Sequence, residues 1–506
     1  MQTTKFKALF NLASINKECI RTVAVASSAT NTENLKPWKE IPGPKSLPII
    51  GQLHHFMFGG MFANTDDAEL VTKLINMYGP IIRLDSMFGK PPLLFLSDPE
   101  STAFVLRSEN WYPIRPGFQS LEYYRKDYKK SKGINVHATG LISDHGEVWK
   151  EFRSTVNPVM LQPKTIKLYT QVLDEVAQDM IVRMRANRDE NNMITKDFDK
   201  EMNLWALESI GTVALGCRLN CFDPKLPADS PEWQLIQCVH DLFITANEID
   251  FKPNLWRLFS TPLFKKAMKL YEHHENLTKY FLKKGIENLK NKSDTEKGVL
   301  EKLLEINEEA AYIMASDMLF AGVDTAANTV TATLYLLAKN PEKQAKLREE
   351  ITSLPNSEKR PYLRACVKES LRLMPVVSGN ARKSTKTYNI LGYEVPKDVD
   401  IIFTHREMSL MEKHYPRADE YIPERWLAKK GDPLYYGDTH PFVYGPFGFG
   451  ARSCIGRRIA ELEMDTFVAR LIENFQVEWF GPPPKTVQQA INYIKGPYNF
   501  VFKDVK

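Results

Sequence analysis

Ten residues near the C-terminal end, FGFGARSCIG (447–456), combine one cysteine with three glycines and two aromatics. Glycines let a backbone approach a flat or bulky group and turn without a Cβ clash. They also leave peptide N–H groups able to point at the Cys454 sulfur. A thiolate met by such donors just ahead of a helix is expected to have a lowered pKa and keep its charge. A disulfide needs a second thiol and a zinc site needs several ligands. A lone sulfur suits a metal that takes one strong axial ligand from the protein and the rest from a cofactor, as haem iron does. The competing reading is a buried structural cysteine in a tight turn.

Four other clusters have chemistry in their spacing. Asp324 and Thr325, in AGVDT (321–325), put an acid and a hydroxyl in the middle of an apolar run, where burial is costly without a purpose. The ordinary fate of such a threonine is a bond back to a carbonyl one turn earlier. Gly322 beside them would let a helix distort and open a groove. Glu369 and Arg372, in KESLR, stand at i and i+3 and can pair on one helix face. Trp149 and Arg153, in GEVWKEFR, share a face at i and i+4, as do Arg364 and Lys368. Taken singly, each of these is as easily an ordinary surface or core residue.

The elements that must carry these residues are mostly helical. Residues 165–187 and 264–289 repeat their apolar positions every three or four residues, and so do 361–373 up to Pro375. The run 310–338 is apolar nearly all round and belongs at the middle of a large domain. A further helix is expected from about 455 to 474. Short β-like runs (PIIRLDS, PLLFLS) fall between 65 and 100, and more strands between 380 and 405. Residues 112–140 read as a polar loop, 285–299 as a solvated one, and the prolines of 37–52 as a stiff extended lead-in.

Length alone, 506 residues, suggests several domains; the pattern favours one large mainly α domain with a small β portion. A net charge of +5 gives no argument for nucleic acid. The six cysteines include no Cys-x-x-Cys, so no disulfide framework is expected and a reducing compartment is. The first residues are basic (Lys5, Lys7, Lys17, Arg21), hydroxyl-rich and acid-poor, with Phe6, Leu9, Phe10 and Ala13 on one helical stripe. That is the composition of a mitochondrial transit peptide. No apolar run is long enough to span a membrane.

The spacing Phe447-x-x-Gly450-x-Arg452-x-Cys454-x-Gly456 resembles the haem-binding signature of the cytochrome P-450 superfamily, the haem-thiolate monooxygenases. The other motifs follow in that family's order, and the resemblance runs from about residue 38 to 503. It implies the mainly α P-450 fold, a large helical domain with a small β-sheet portion and haem b (iron protoporphyrin IX) buried in the core on the Cys454 thiolate. The chain would divide into a transit peptide (1–32), a proline-rich lead-in (33–52) and one haem domain (53–506). The resemblance further implies that Arg425, in YIPERWL, joins Glu369 and Arg372 to scaffold the cysteine loop. Thr325 would support protonation of iron-bound dioxygen with Asp324 in the relay. Trp149, Arg153, Arg382 and Arg452 would meet the haem propionates, and Phe447 would line the cofactor.

Arg364, Lys368, Arg457 and Arg458 would form a basic patch for an acidic iron–sulfur ferredoxin served by an NADPH-dependent reductase, as in the mitochondrial class. Insect mitochondrial members look closest, some acting on ecdysteroids and some on foreign compounds. A peripheral enzyme on the matrix side of the inner membrane is expected. It would take O2 and a hydrophobic small molecule met by residues 113–135, 312–320, 376–380 and those around Ile494. Two other classes remain open: a haem-thiolate isomerase or dehydratase needing no electron donor, and a non-enzymatic haem sensor.

Overall fold

In the computed structural model, residues 35–505 are described apart from 48–49, 64, 66, 86–89, 135–137, 195–196, 253, 290–295 and 355–358. The transit-peptide reading of residues 1–32 lies outside these. The principal helices are α1 (Asp67–Tyr78), α2 (Pro99–Arg107), α3 (Gln119–Tyr123), α4 (Gly146–Met160), α5 (Thr170–Asn187) and α6 (Phe198–Leu215). They continue as α7 (Pro231–Ala246), α8 (Pro262–Glu287), α9 (Val299–Ile306) and α10 (Glu308–Lys339). After the central α10 come α11 (Pro341–Ser353), α12 (Pro361–Leu373) and α13 (Arg457–Asn474).

Local signals set many of the starts. Asp98, Ser230, Thr261 and Asn307 each accept a backbone N–H of the helix that follows them, and proline opens α2, α7 and α8. Asn307 takes the Ala310 N–H at 2.6 Å, with Glu308 and Glu309 in the first turn and Lys339 in the last, so the ends of α10 match its dipole. Pro341 then prevents continuation.

The small β portion begins with β1 (Ile81–Leu84) and β2 (Leu93–Leu96). It continues with β3 (Asn380–Lys383), β4 (Tyr388–Ile390), β5 (Tyr393–Val395) and β6 (Asp400–Phe403). The order β1-β2-β6-β3 makes one sheet, antiparallel except where β2 pairs parallel with β6, Leu93 opposite Asp400. Near the C-terminus β7 (Phe475–Trp479) pairs with β10 (Phe500–Asp504), and β8 (Lys485–Gln488) with β9 (Asn492–Lys495).

Three local expectations need correction. Residues 112–140 are not all loop: α3 runs into a π-turn at Tyr124–Tyr128 and a short turn at Lys129–Ser131. Their tyrosines pack inward, so apolar burial overrides the polar composition. The stretch 165–187 divides at residues 168–169 into a short helix, Pro163–Lys167, and α5. Between 65 and 100 the two predicted strands form, but α1 precedes them. The proline-rich lead-in is packed on the sheet: Lys36 N–H donates to Gly392 C=O at 3.0 Å, and Ile41 is buried.

Most of α10 is buried among the helices that form the main core. It packs against α6, α7, α8, α12 and α13, so its residues are fixed from several sides. A second core lies under the sheet, around Leu94, Leu96, Ile401 and Phe403.

Candidate active site

Cys454 ends the turn that leads into α13. Gly448 N–H donates to Gly445 C=O at 3.0 Å, Ser453 N–H to Gly450 C=O at 3.1 Å and Cys454 N–H to Phe447 C=O at 2.8 Å. Gly448 and Gly450 hold φ of 71° and 67°, left-handed values that disfavour other residues. A Cβ at 448 would also come within 2.8 Å of Asn380 Oδ1. The glycines therefore shape the turn, and the Gly456 N–H reaches the sulfur.

Burial raises the Cys454 thiol pKa, opposed by the Gly456 N–H and by Arg153, Arg115 and Arg457. The lowered pKa expected from sequence is thus corrected, because desolvation outweighs the donors. Coordination would settle the matter, since a metal-bound thiol is deprotonated outright. Cys454 keeps accessible surface even though desolvation is the main influence on it. Cys221, Cys238 and Cys366 are buried and their thiols are pushed up, as inert core cysteines should be. Among the described residues no three His, Cys, Asp or Glu side chains gather as a metal site.

Around this sulfur stand Arg115, Arg153 on α4, Arg382 on β3 and Arg452 of the loop itself. Burial pushes the pKa of every one down. Repulsion adds to it: Arg115, Arg382 and Arg153 all act on Arg452, whose pKa falls to about 8. A guanidinium does not give up its proton inside a protein, so these desolvated cations favour an anion placed among them. Glu109, ion-paired with Arg382, offsets a part.

Trp149 Nε1 and Arg153 Nε are buried without a hydrogen-bond partner, while Arg153 Nη2 donates to Ser453 C=O at 2.9 Å. Unmet donors, uncompensated cations and one axial sulfur fit a porphyrin with two propionates. Arg452 has a further use. It stacks on the Trp149 ring at 3.7 Å and donates to the carbonyls of Pro113 (2.9 Å), Leu141 (3.2 Å) and Asp144 (2.8 Å). Most of its donors are spent bracing the site. Sequence reasoning missed Arg115 and Glu109; the prolines flanking Arg115 in PIRPG were the available signal.

On α10, Ala321 is exposed and Gly322, Thr325 and Asn328 are half-buried, a strip on a helix otherwise mostly buried. Thr325 Oγ1 donates to Ala321 C=O at 2.7 Å. Asp324 is fully buried; its Oδ2 accepts the Tyr493 hydroxyl at 2.5 Å. The groove expected at Gly322 does not form: α10 is continuous there, and a Cβ would meet Ile210 Cγ1 at 2.7 Å. This glycine allows close packing of α10 on α6.

Glu369, Arg372 and Arg425 come together with no exposure. Arg372 grips Glu369 through two bonds of 2.9 and 2.8 Å, and Arg425 Nε donates to Glu369 Oε1 at 2.9 Å. The indole of Trp426 and the Ile422 N–H donate to the same carboxylate. The arginines' remaining N–H groups reach the carbonyls of Ser409, Ala418, Glu420, Pro416 and Arg417. Tyr444, three residues ahead of the cysteine loop, packs its ring tilted against Trp426 and donates to Lys368 C=O, tying the network to the segment that leads into that loop.

Arg364, Arg457 and Arg458 are exposed and Lys368 half-buried, on the adjoining helices α12 and α13. Arg457 pairs with Glu461 at 2.8 Å and lies over the Phe447 ring, Arg364 faces Asp465 at 3.3 Å, and Lys368 lies over Trp426. Of the substrate segments, Phe118 and Phe320 meet in an aromatic cluster with Phe243 of α7, which sequence reasoning missed. Asn492, at the start of β9, is tied to Val376 and Pro375, bringing the segments near 376 and 494 together.

The family model for Cytochrome P450 matches residues 41–502. Cytochrome P450 CYP12A2 of Musca domestica is 37% identical over 98% of this chain and 96% of its own length. Probable cytochrome P450 12a5, mitochondrial, of Drosophila melanogaster is 37% identical over 93% of this chain and 91% of its own. The structure of retinoic acid bound cyanobacterial CYP120A1 matches with a TM-score of 0.71 at 20% identity, over 92% of this chain and 99% of that one. That likeness is one of fold.

Proposed function

This chain belongs to the cytochrome P450 family, and on that premise we propose that it hydroxylates an apolar steroid-like or xenobiotic molecule with electrons from a mitochondrial ferredoxin. Monooxygenase activity and a haem-thiolate cofactor come with the family. The substrate, the donor and the residue roles are our reading. One observation carries it: a lone desolvated thiol beside a cluster of four desolvated guanidiniums.

Bound haem supplies activation of O2 and transfer of one oxygen atom to carbon. Cys454 would hold the haem iron through its sulfur. The indole N–H of Trp149 and the guanidiniums of Arg153 and Arg115 would hold the propionates, with Arg382 shared between Glu109 and that task. Arg452 fixes the Trp149 ring and the backbone beneath it, and Phe447 accepts the Cys454 N–H. Thr325 donates its hydroxyl hydrogen to Ala321 C=O, leaving its lone pairs free to accept a hydrogen bond on the half-buried strip, where it would support protonation of the bound dioxygen. Asp324 is the adjacent acid of that proton relay. Glu369, Arg372 and Arg425 hold the cysteine loop in place.

The reaction consumes two electrons. Arg364, Lys368, Arg457 and Arg458 give an acidic ferredoxin a cationic face beside the thiolate loop, in the attractive sense. Five names among the Drosophila melanogaster relatives include "mitochondrial", which supports that compartment, residues 1–32 serving as transit peptide and 53–506 as one haem domain. Among the described residues no helix is long and apolar enough to cross a membrane. The exposed Phe58, Met57, Phe251, Leu258 and Phe259 support peripheral contact at the matrix face of the inner membrane.

Turnover by purified holoenzyme with ferredoxin, its reductase and NADPH tests the reading, against omission of each component. Spectral shifts on adding ecdysteroid precursors or insecticides separate the substrate classes. Product formed without any electron donor would replace this reading with an isomerase or dehydratase.

A further inference from the structure

Asp324 is held in a way that the oxygen-activating motif does not require. Its Oδ2 accepts the Tyr493 hydroxyl of β9 at 2.5 Å, and His240 Nδ1 of α7 stands 3.7 Å from the same oxygen. Oδ1 is buried without a hydrogen-bond partner. The imidazole of His240 meets the Tyr493 ring edge-on, centroids 5.3 Å apart at 88°. Asn328, one turn along α10, donates to Asp324 C=O at 2.8 Å and accepts the Ile494 N–H at 3.1 Å. Strand β9 therefore grips α10 at two points, and α7 closes over the carboxylate from another side.

Neighbouring helix residues diverge by about 100°. Thr325 lies on the half-buried strip with Ala321, whereas Asp324 turns toward α7 and β9. On the reading above Asp324 is the acid that serves Thr325, and Asp324 has no exposure of its own. His240 retains about a third of its side-chain exposure (30%), and its ring has two nitrogens, one near Asp324 and one on the far side. The phenol cannot take the same part, since it is buried and its acidity is suppressed by desolvation and by Asp324.

We infer that His240 is the group that feeds protons to Asp324, and that Tyr493 is a positioning residue that fixes the carboxylate to receive them. The inference rests on the monooxygenase reading above. In the step, the His240 Nδ1–H bond breaks and an Asp324 O–H bond forms, so imidazolium becomes neutral imidazole. Water then returns a proton to the ring. At 3.7 Å the pair is just beyond hydrogen-bond distance, and a small rotation of the imidazole closes it.

The test uses holoenzyme carrying His240→Gln, His240→Ala, Asp324→Asn, Tyr493→Phe and the His240→Ala/Asp324→Asn double change. With reductant and O2, His240→Gln and His240→Ala should turn over about tenfold slower or worse. The KM for substrate should stay within about twofold, the solvent isotope effect should rise, and less product should form per NADPH. Gln fills a similar volume and can donate a hydrogen bond but cannot relay a proton, so it should fail as Ala does. The double variant should be no slower than Asp324→Asn alone. Tyr493→Phe should lose kcat and keep its KM.

An independent readout needs no turnover. The drop in denaturant midpoint caused by His240→Ala should largely vanish in the Asp324→Asn background, because the two groups interact. Every variant should keep the thiolate-type ferrous–carbon monoxide spectrum; its loss would point to the cofactor site instead. Wild-type turnover and isotope effect in His240→Gln, or additive losses in the double variant, would overturn the inference. If even the wild-type protein shows no oxygenation, the monooxygenase reading fails, while the stability cycle still reports whether His240 and Asp324 are coupled.

Discussion

At Cys454 burial and charge pull in opposite directions, and the same tension recurs at Trp149 and the arginines. Each of these side chains is placed at a cost that the protein alone does not offset. Trp149 shows it most simply, since its indole N–H is buried with no acceptor in the protein. An unmet buried donor costs about 1–3 kcal/mol, so removing it should not weaken the apoprotein through a lost hydrogen bond. Trp149→Phe is therefore expected to keep the apoprotein denaturant midpoint within experimental error while haem content after reconstitution falls severalfold. A large midpoint drop with normal haem content would mean that the indole is there for packing alone. The carboxylate of Glu369 is the opposite case, because every donor around it is a protein group.

At the scale of elements, helix α12 and the 3-10 turn at Pro423–Trp426 are joined by that carboxylate. Breaking a buried pair leaves a charge stranded, at about 3–5 kcal/mol. Glu369→Gln would strand Arg372 and Arg425 together, so soluble expression should collapse or the midpoint should fall by an amount in that range. A near-neutral result would refute the scaffolding role. Helix α13 presents another cost. Arg457 and Arg458 occupy its first turn with no acidic residue there, where the helix dipole disfavours cations. Arg457 is engaged with Glu461 and Phe447, so Arg458 is the cleaner probe. Arg458→Glu should raise the KM for ferredoxin about tenfold at low ionic strength and less at high, with the carbon monoxide spectrum intact. An unchanged KM at low salt would remove this residue from the docking face.

The whole molecule should lose stability as pH falls from neutrality. His274 and His405 are buried, and desolvation pushes their pKa values down to about 3 and about 4. Between those values and 6.5 the unfolded chain binds protons that the folded chain does not, so acidification favours unfolding by up to about 1.4 kcal/mol per pH unit for each histidine. Asp250 and Asp465, raised to about 6 by burial, act the other way below that pH. The net loss should thus be steepest between 6.5 and 6, and His274→Gln should flatten it in denaturant melts at closely spaced pH; an identical slope would assign the acid sensitivity elsewhere. On the outer surface, replacing Leu258 and Phe259 with aspartate should reduce flotation with anionic vesicles several-fold. Equal flotation would exclude that segment from membrane contact.

Sequence alone determined the features that depend on local spacing. The cysteine turn, the helical period of 310–338, the acid–arginine pair on α12 and the tryptophan–arginine face of α4 are all contained within a turn or two of chain. Side-chain identity and backbone geometry there follow from neighbours in sequence. What only tertiary structure decided depends on segments far apart in the chain. It joined Arg115 to Arg382 and Arg452, packed Gly322 against Ile210, and brought Tyr493 and His240 to Asp324 across 169 and 84 residues. It also reversed the expected shift at Cys454, because desolvation depends on everything packed around the sulfur and no local motif encodes it.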